Sequence, residues 1–311
     1  MARYKAGRFT RRDETAATTL IADLCCGIGG DLLALAARGP VVSIDCNPTA
    51  AHFAAANTGA TVCRADVERF DVSDFAAWHI DPDRRAAGRR TTALASCQPT
   101  LATIERLLTE VPHAAVKLAP ATRVPTKWSE RCELEWISRD RECRQLVAWH
   151  GNLAQSAGQC RASVLPAACC LAARTLTGAP NQPIPIADKP DHYVFDVDPA
   201  VLAARLTGVL AAEHDLSALD SGPSYLTGPR SIDDAALACF EVADVLPLQL
   251  RKLALALRER SIGQLEIKKR GVNIDPERLR RDLKLRGDQS ATLLITRIAS
   301  RPSAILARRV S

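Results

Sequence analysis

The chain has 311 residues, of which 47% are hydrophobic and 24% are charged, with a net charge of +6, so it can form a sizeable core and two domains. No apolar run reaches the roughly 18 residues of a membrane span and none follows the basic N-terminus, so we expect a cytoplasmic protein without a span or signal peptide. The eleven cysteines are odd in number and include no CxxC, which argues against a disulfide framework and predicts no metal site.

The first half of the chain alternates short apolar runs with helical patterns. Strands are predicted at 19–24, 41–45, 61–66, 76–81 and 114–119, with 132–138 and 160–165 as the two that complete a seven-stranded sheet. Helices are predicted at 29–39, 48–57, 101–111 and 141–154, and Asn47 is the expected N-cap of the second. This alternation predicts an α/β fold with a parallel sheet covered on both faces.

A proline-rich segment at 174–192 is predicted to link this domain, 1–173, to a second domain at 193–311. The second domain is predicted to be a small α/β unit that ends in a hairpin. Its strands are expected at 193–198, 238–246, 263–271, 291–298 and 303–310, and its helices at 199–213, 247–260 and 275–287.

Residues 251–311 carry 16 Lys and Arg and 6 Asp and Glu, a net charge of +10, so residues 1–250 sum to −4. This asymmetry fits a polyanionic partner or a solvated basic face equally well.

The segment IADLCCGIGGD, residues 21–31, lies between the first strand and the first helix, where open α/β sheets bind ligands. A dinucleotide fingerprint requires a third glycine at position 32, which is Leu32, and Asp31 would repel a pyrophosphate at the helix start. A phosphate-binding P-loop is excluded because no GK[ST] follows. The carboxylate suits the cationic sulfonium and ammonium groups of S-adenosylmethionine, and Cys25 and Cys26 are small residues that let the loop close.

Acidic residues end the next two strands as well. Asp45 is placed to accept hydrogen bonds from ribose hydroxyls, and Asp66 to hold the adenine amino group. Each acid alone is better explained as a helix N-cap or a solvated loop end, but three acids at successive strand ends favour a cofactor site. The predicted cofactor-binding residues are Asp23, Gly27, Gly29, Asp31, Asp45 and Asp66.

The segments DLCCGIGGD, SIDCNP and RADV resemble motifs I, II and III of class I S-adenosylmethionine-dependent methyltransferases. DPDRR, VKLAP, LEIKKRG and LRRDLKLRGD are similar to bacterial methyltransferase-like proteins with a C-terminal THUMP-like domain, and this resemblance covers nearly the whole chain. It implies a Rossmann-like seven-stranded methyltransferase sheet followed by a small THUMP-like domain, and a relation to RNA methyltransferases. The family usually has a longer helical N-terminal region, so the start at Met1 suggests a shortened version.

Asp81 and Pro82 end the fourth strand, where RNA and DNA amino methyltransferases carry [DNS]-P-P-[YFW]. There the acid and a backbone carbonyl accept hydrogen bonds from the target amine and orient it in line with the sulfonium. We therefore predict Asp81 and Pro82 as the catalytic pair. Asp83 and Arg84 replace the second proline and the aromatic, as in the D-P-x-R-R of the THUMP-like family, which leaves the acceptor atom and catalysis itself open.

Several basic residues are predicted to bind substrate. Arg84 and Arg85 contact phosphates or belong to a solvated loop with salt bridges, and Lys117 binds a phosphate or, as we favour, pairs with Asp81. In the second domain the sharpest basic cluster is Lys268, Lys269 and Arg270, with Lys268 and Arg270 on one face of a strand.

THUMP domains bind the acceptor end of transfer RNA, so the resemblance implies RNA, transfer or ribosomal, as the partner. No aromatic platform accompanies the basic cluster, which favours recognition of backbone and shape. The leading hypothesis is a methyltransferase acting on RNA, with the C-terminal domain docking the substrate. The alternatives are a non-catalytic RNA-binding module with a vestigial cofactor site, and a methyltransferase for a protein or small molecule.

Overall fold

A computed structural model of the chain describes residues 1–9, 19–83, 85–86, 89–90, 92–167 and 172–310. They form two compact units, Met1–Pro180 and Asn181–Ser311, which we call the N-terminal and C-terminal units. None of the helices in the described ranges combines the length and the apolar character that crossing a bilayer requires.

Most of the described strands of the N-terminal unit form one sheet. In chain order they are β1 Ile21–Leu24, β2 Val41–Asp45, β3 Thr61–Arg64, β4 Ala77–Ile80, β5 Arg85–Ala86, β6 Arg89–Arg90, β7 Ala114–Leu118, β8 Glu133–Arg139, β9 Glu142–His150, β10 Cys160–Leu165 and β11 Arg174–Gly178. Nine of them join in the order β11-β10-β8-β9-β7-β4-β1-β2-β3, and β5 pairs with β6. All strands of the large sheet are parallel except β9 and β11. The α/β fold with a large parallel sheet is therefore confirmed.

Two sequence predictions about this sheet are wrong. The segment predicted as a helix at 141–154 contains β9, and the sheet has nine described strands rather than seven. Asp140 and Arg141 both have positive φ, 54° and 57°, and close a tight hairpin between β8 and β9 without a glycine to reveal it. The predicted linker is partly strand, because β11 pairs with β10 before the first proline of the segment, Pro180.

Short helices flank the sheet of the N-terminal unit. They are α1 Ala2–Ala6, α2 Leu32–Ala36, α3 Pro48–Thr58, α4 Leu101–Glu110 and α5 Thr126–Arg131. The side chain of Asn47 caps α3 as predicted, accepting hydrogen bonds from the amides of Thr49 and Ala50. Helix α1 brings the N-terminus of the chain to the sheet, which places Lys5 near the site described below.

An ion network anchors the segment after α1. The Arg8 guanidinium lies 2.7 Å from a carboxylate oxygen of Glu133 and 3.0 Å from one of Glu135, and Arg161 donates to Glu133 from a neighbouring strand. Glu133 is fully buried in β8. Burial opposes ionisation of Glu133, but the two arginines outweigh burial and lower the pKa of its carboxyl to about 2.

The C-terminal unit has its own sheet. Its strands are β12 Tyr193–Val197, β13 Ser217–Ala218, β14 Leu226–Gly228, β15 Leu237–Pro247, β16 Ile262–Lys269, β17 Gln289–Ile298 and β18 Arg301–Arg309, and its helices are α6 Pro199–Ala203, α7 Thr207–Glu213, α8 Leu250–Glu259 and α9 Pro276–Leu283. The order is β13-β14-β12-β15-β18-β17-β16, and among the described pairs β16 and β17 are parallel and the rest antiparallel.

The structure confirms the terminal hairpin, β17 with β18, and corrects two helix predictions. The single helix predicted at 199–213 is two helices, because Arg205 adopts a left-handed φ of 57° between them. The helix predicted to start at Pro247 begins at Leu250, and Pro247 ends β15.

Candidate functional site

The candidate site lies at the carboxyl ends of the parallel strands of the N-terminal unit. Strand β1 lies between β2 and β4. The chain leads from β1 to β2 and β3 on one side and then crosses over to β4 on the other side. In open α/β sheets such a topological switch point opens a crevice beyond the strand ends, where ligands bind. We call the segment that follows β1, residues 25–31, the glycine loop.

Left-handed backbone conformations shape the glycine loop. Cys25, Gly27 and Gly29 have φ values of 59°, 56° and 89°. Gly29 packs against α3, since a Cβ built on it would lie 2.9 Å from Cγ2 of Thr58 and 3.2 Å from Cα of Ala54. A Cβ on Gly27 would meet no described atom within 4 Å, so the loop leaves open space at this position that a ligand can fill.

The variant Gly29→Ala is expected to destabilise the N-terminal unit by about 1–3 kcal/mol, because it combines the steric contact with α3 and an unfavourable positive φ. Urea unfolding followed by circular dichroism measures the effect. Gly30→Ala is the matched control, since a Cβ on Gly30 meets no described atom within 4 Å and φ there is not positive. Equal stability of the two variants would contradict the close packing at Gly29.

Asp45 is the last residue of β2, and Asp66 lies at the start of the turn that follows β3. Asp45 is oriented by two backbone amides, because its carboxylate accepts hydrogen bonds of 2.9 Å from Gly27 N and from Asn47 N. Each oxygen keeps a further acceptor position, as two ribose hydroxyls would require. Asp66 caps a short 3-10 turn through Glu68 N at 3.0 Å, so the N-cap explanation of this residue holds, and its second oxygen stays available.

Asp31 is the centre of a cluster of charged side chains. Lys5 Nζ lies 2.8 Å from one of its oxygens, and Lys117 Nζ donates to the other at 3.2 Å. Lys117 also donates to Asp81 Oδ2 at 2.5 Å. The predicted ion pair of Lys117 with Asp81 is thus confirmed, and the charge of Asp31, which the sequence left to a cationic cofactor, is already compensated by two lysines.

Asp23 and His79 extend the cluster beneath the glycine loop. His79 Nδ1 lies 2.7 Å from Asp23 Oδ1, and Nε2 lies 3.6 Å from Asp31 Oδ2. Asp23 and His79 are only 1% and 2% exposed, so Asp23 holds His79 rather than facing the open side of the loop. No sequence motif pointed to His79. The signal that could have found it is strand alternation, which places His79 on the same side of the chain as Asp81.

The electrostatics keep the centre of the cluster ionised. Although burial raises it, the pKa of Asp31 is well below its usual value because His79, Lys5 and Lys117 surround the carboxylate. Burial opposes the charge of Lys117, yet Asp81 and Asp31 raise its pKa above the usual value. Burial lowers the pKa of Lys5, an effect that Asp31 partly offsets. At neutral pH Asp31 and Lys117 therefore face each other as ions.

The two cysteines of the loop are protonated thiols at neutral pH. Burial raises the pKa of Cys26 to about 11 and that of Cys25 further. Neighbouring carboxylates, including Asp45, add to the effect. The pair therefore serves the shape of the loop.

The predicted substrate-binding residues are placed as follows. Arg84 lies outside the described residues, and Arg85 begins the short strand β5. In the C-terminal unit Lys268 and Arg270 both contact Asp196, at 3.4 Å and 2.7 Å, which confirms that they share a side of the strand. Lys269 donates to the carbonyl of Ile274. Internal partners thus engage all three residues of this cluster.

A mostly parallel sheet in this order, with a glycine loop after β1, defines a Rossmann-like fold of the methyltransferase type. A crystal structure from Porphyromonas gingivalis W83, of a "putative methyltransferase", shares this fold with a TM-score of 0.78 and 20% identity over 100% of this chain and 80% of that chain. A family model described as THUMP domain-like matches residues 237–309.

Two proteins of Mycobacterium tuberculosis, from strains CDC 1551 and H37Rv, are each 34% identical to the chain over 312 residues, 96% of this chain and 81% of theirs. Both are named uncharacterized S-adenosylmethionine-dependent methyltransferase. The chain therefore belongs to the same family of S-adenosylmethionine-dependent methyltransferases, and S-adenosylmethionine is its cofactor.

Proposed function

We propose that this methyltransferase acts on RNA, with Asp81 receiving the target amine. The observation that carries the proposal is the position of Asp81. It follows β4 directly, and its side chain is 34% exposed, whereas those of Asp31, Lys117 and Lys5 are 15%, 17% and 3% exposed. Asp81 is therefore the solvent-facing end of the charged cluster and the member that an incoming substrate meets first.

The residues of the site fit the cofactor. The adenosine would be held by Asp45 through its ribose hydroxyls and by Asp66 through its amino group, with the open space at Gly27 receiving the chain of the molecule. When bound, S-adenosylmethionine supplies an electrophilic methyl group. The carboxylate of Asp45 needs no rearrangement to accept hydroxyls, since the amides of Gly27 and Asn47 already orient it.

The variant Asp45→Ala is expected to weaken the binding of S-adenosylmethionine at least about 10-fold, because two charge-assisted hydrogen bonds are lost. Isothermal titration calorimetry measures the dissociation constant. Asp74→Ala removes one charge from an exposed position of the same unit and serves as the control. Unchanged affinity in Asp45→Ala would remove Asp45 from the cofactor site.

The chain's own groups perform the remaining tasks at Asp81. The carboxylate accepts a hydrogen bond from the amine and orients its lone pair, which supplies the rate enhancement of positioning. Lys117 fixes the carboxylate by donating to Oδ2, which leaves Oδ1 for the substrate. Pro82 is buried and restricts the backbone directly after Asp81.

The THUMP-like match and the basic end of the chain support RNA as the substrate. The test incubates the full-length protein with S-adenosylmethionine labelled in its methyl group and total bacterial RNA. We expect label that ribonuclease releases and protease does not. Label that resists ribonuclease would instead assign a protein or small-molecule substrate, and RNA binding without any transfer would indicate a non-catalytic module.

We also propose that the protein works in the cytoplasm. Cys46 and Cys63 are exposed free thiols in the N-terminal unit. Exposed thiols persist in reducing compartments, which supports this location. Fractionation of cells that express the protein tests it, and recovery in an extracellular fraction would contradict it.

A further inference from the structure

Two helices of the C-terminal unit form a layer on one face of its sheet. Leu253 and Leu257 of α8 share one buried core with Leu279 and Leu283 of α9. A second core, which includes Phe240, occupies the opposite face of the sheet. We call residues 250–260 and 276–286 the α8–α9 layer, and the outer sides of both helices point away from the sheet on the same face.

The α8–α9 layer carries exposed positive charge that is not neutralised by ion pairs among the described residues. Three of its arginines pair with nearby acids, namely Arg260, Arg278 and Arg280. Six further cations are exposed and form no ion pair with any described residue: Arg251, Lys252, Arg258, Arg281, Lys284 and Arg286. The layer therefore differs from the cluster of Lys268 and Arg270, whose charges meet Asp196 within the unit.

The spacing along α8 suits a partner with repeated charges. Arg251, Leu255 and Arg258 follow one another at i, i+4 and i+7, opposite the buried side of Leu253 and Leu257. Seven residues of helix rise by about 10 Å, so the two arginines start from successive turns on one side and can each contact a different phosphate. They match a polyanion better than a single small anion.

We propose that the α8–α9 layer binds the backbone phosphates of folded RNA, an inference that rests on the RNA substrate proposed above. Four of the six cations are arginines, and each planar guanidinium group can donate two parallel hydrogen bonds to a phosphate. Residues 250–286 contain no aromatic side chain, so stacking on unpaired bases is not available there. Backbone contacts to a double-stranded region remain, and these depend on shape rather than sequence.

An anionic membrane surface is the less favoured partner. The exposed apolar side chains of α8 are Leu250 and Leu255, at 44% and 60% exposure. A helix that lies in a membrane interface presents a broad apolar face, whereas the apolar side of α8 is buried against the sheet. Leu250 and Leu255 stand singly among exposed cations, and isolated apolar side chains of this kind can pack against the sugars of an RNA backbone.

The test uses the full chain with three substitutions, Arg251→Ala, Arg258→Ala and Arg281→Ala. Its matched control removes three exposed positive charges of the same unit outside the layer, through Lys189→Ala, Arg230→Ala and Arg301→Ala. The probe is a labelled RNA hairpin with a stem of about 16 base pairs, titrated at several salt concentrations. Circular dichroism and affinity for S-adenosylmethionine verify that both variants are folded.

We expect the layer variant to bind the hairpin at least about 10-fold more weakly at 0.1 M salt, because it loses three phosphate contacts. The slope of log affinity against log salt should flatten by about 2–3. The control should stay within about 3-fold of the wild type.

Four outcomes would overturn the assignment. Equal losses in both variants would indicate a net-charge effect without a defined surface. Wild-type affinity in the layer variant, with methyl transfer to RNA intact, would place RNA elsewhere and leave the proposed function standing. A wild-type protein that binds no RNA would overturn both proposals. Tighter binding to vesicles of phosphatidylserine and phosphatidylcholine than to the hairpin would assign the layer to a membrane.

Discussion

The variant Asp81→Ala is expected to transfer methyl groups about 100-fold more slowly than the wild type while binding S-adenosylmethionine with similar affinity. The physical reason is positional, because the amine loses the acceptor that aligns it in the site. The removed carboxylate is the exposed end of the cluster, and Lys117 keeps Asp31 as a partner, so the fold should survive. The effect should therefore appear in kcat rather than in the affinity for the cofactor.

Two further variants sharpen this expectation. Asp81→Asn keeps an oxygen that accepts a hydrogen bond, so its rate should fall between those of Asp81→Ala and the wild type. Asp83→Ala removes an exposed carboxylate two residues away and should leave the rate within about 3-fold of the wild type. Single-turnover transfer from labelled cofactor to total RNA measures all three. A rate for Asp81→Ala equal to that for Asp83→Ala would remove Asp81 from the active site.

The variant Glu133→Gln is expected to lower the free energy of unfolding by about 3 kcal/mol at pH 7. Arg8 and Arg161 both pair with this fully buried carboxylate, and the neutral amide would leave their charges inadequately compensated. Urea unfolding followed by circular dichroism measures the change. Glu142→Gln is the control, because the side chain of Glu142 is 62% exposed beside Arg144 and should contribute less than about 1 kcal/mol.

The pH dependence of this difference has a defined sign. The pKa of Glu133 is lowered from an ordinary 4.5 to about 2 in the folded protein. Its stabilising contribution is therefore complete above pH 4.5 and is lost as the pH falls from 4.5 towards 2. Because both pKa values lie below this range, the difference in unfolding free energy between wild type and Glu133→Gln should be constant between about pH 6 and 8. It should shrink below about pH 4.5. A difference that grows on acidification would contradict the buried ionised carboxylate.

Local patterns in the sequence predicted the parallel half of the fold well. Strands β1, β2, β3, β4 and β7 fall where apolar runs alternate with helical segments, and Asn47 caps α3 as expected. These features depend on neighbours a few residues apart, so a single sequence contains them. The β8–β9 hairpin was missed because Asp140 and Arg141 adopt positive φ without glycine, and because the second half of β9, residues 146–150, is continuously buried and lacks alternation.

By itself the sequence determined the position of the glycine loop and of the acids at the strand ends, since spacing along the chain decides both. Only the tertiary structure decided which charges meet. It brings Lys5, from the first helix, and Lys117, from β7, to Asp31, and it pairs Lys268 and Arg270 with Asp196. Coulomb interactions depend on distance in space and on burial, and neither can be read from separation along the chain.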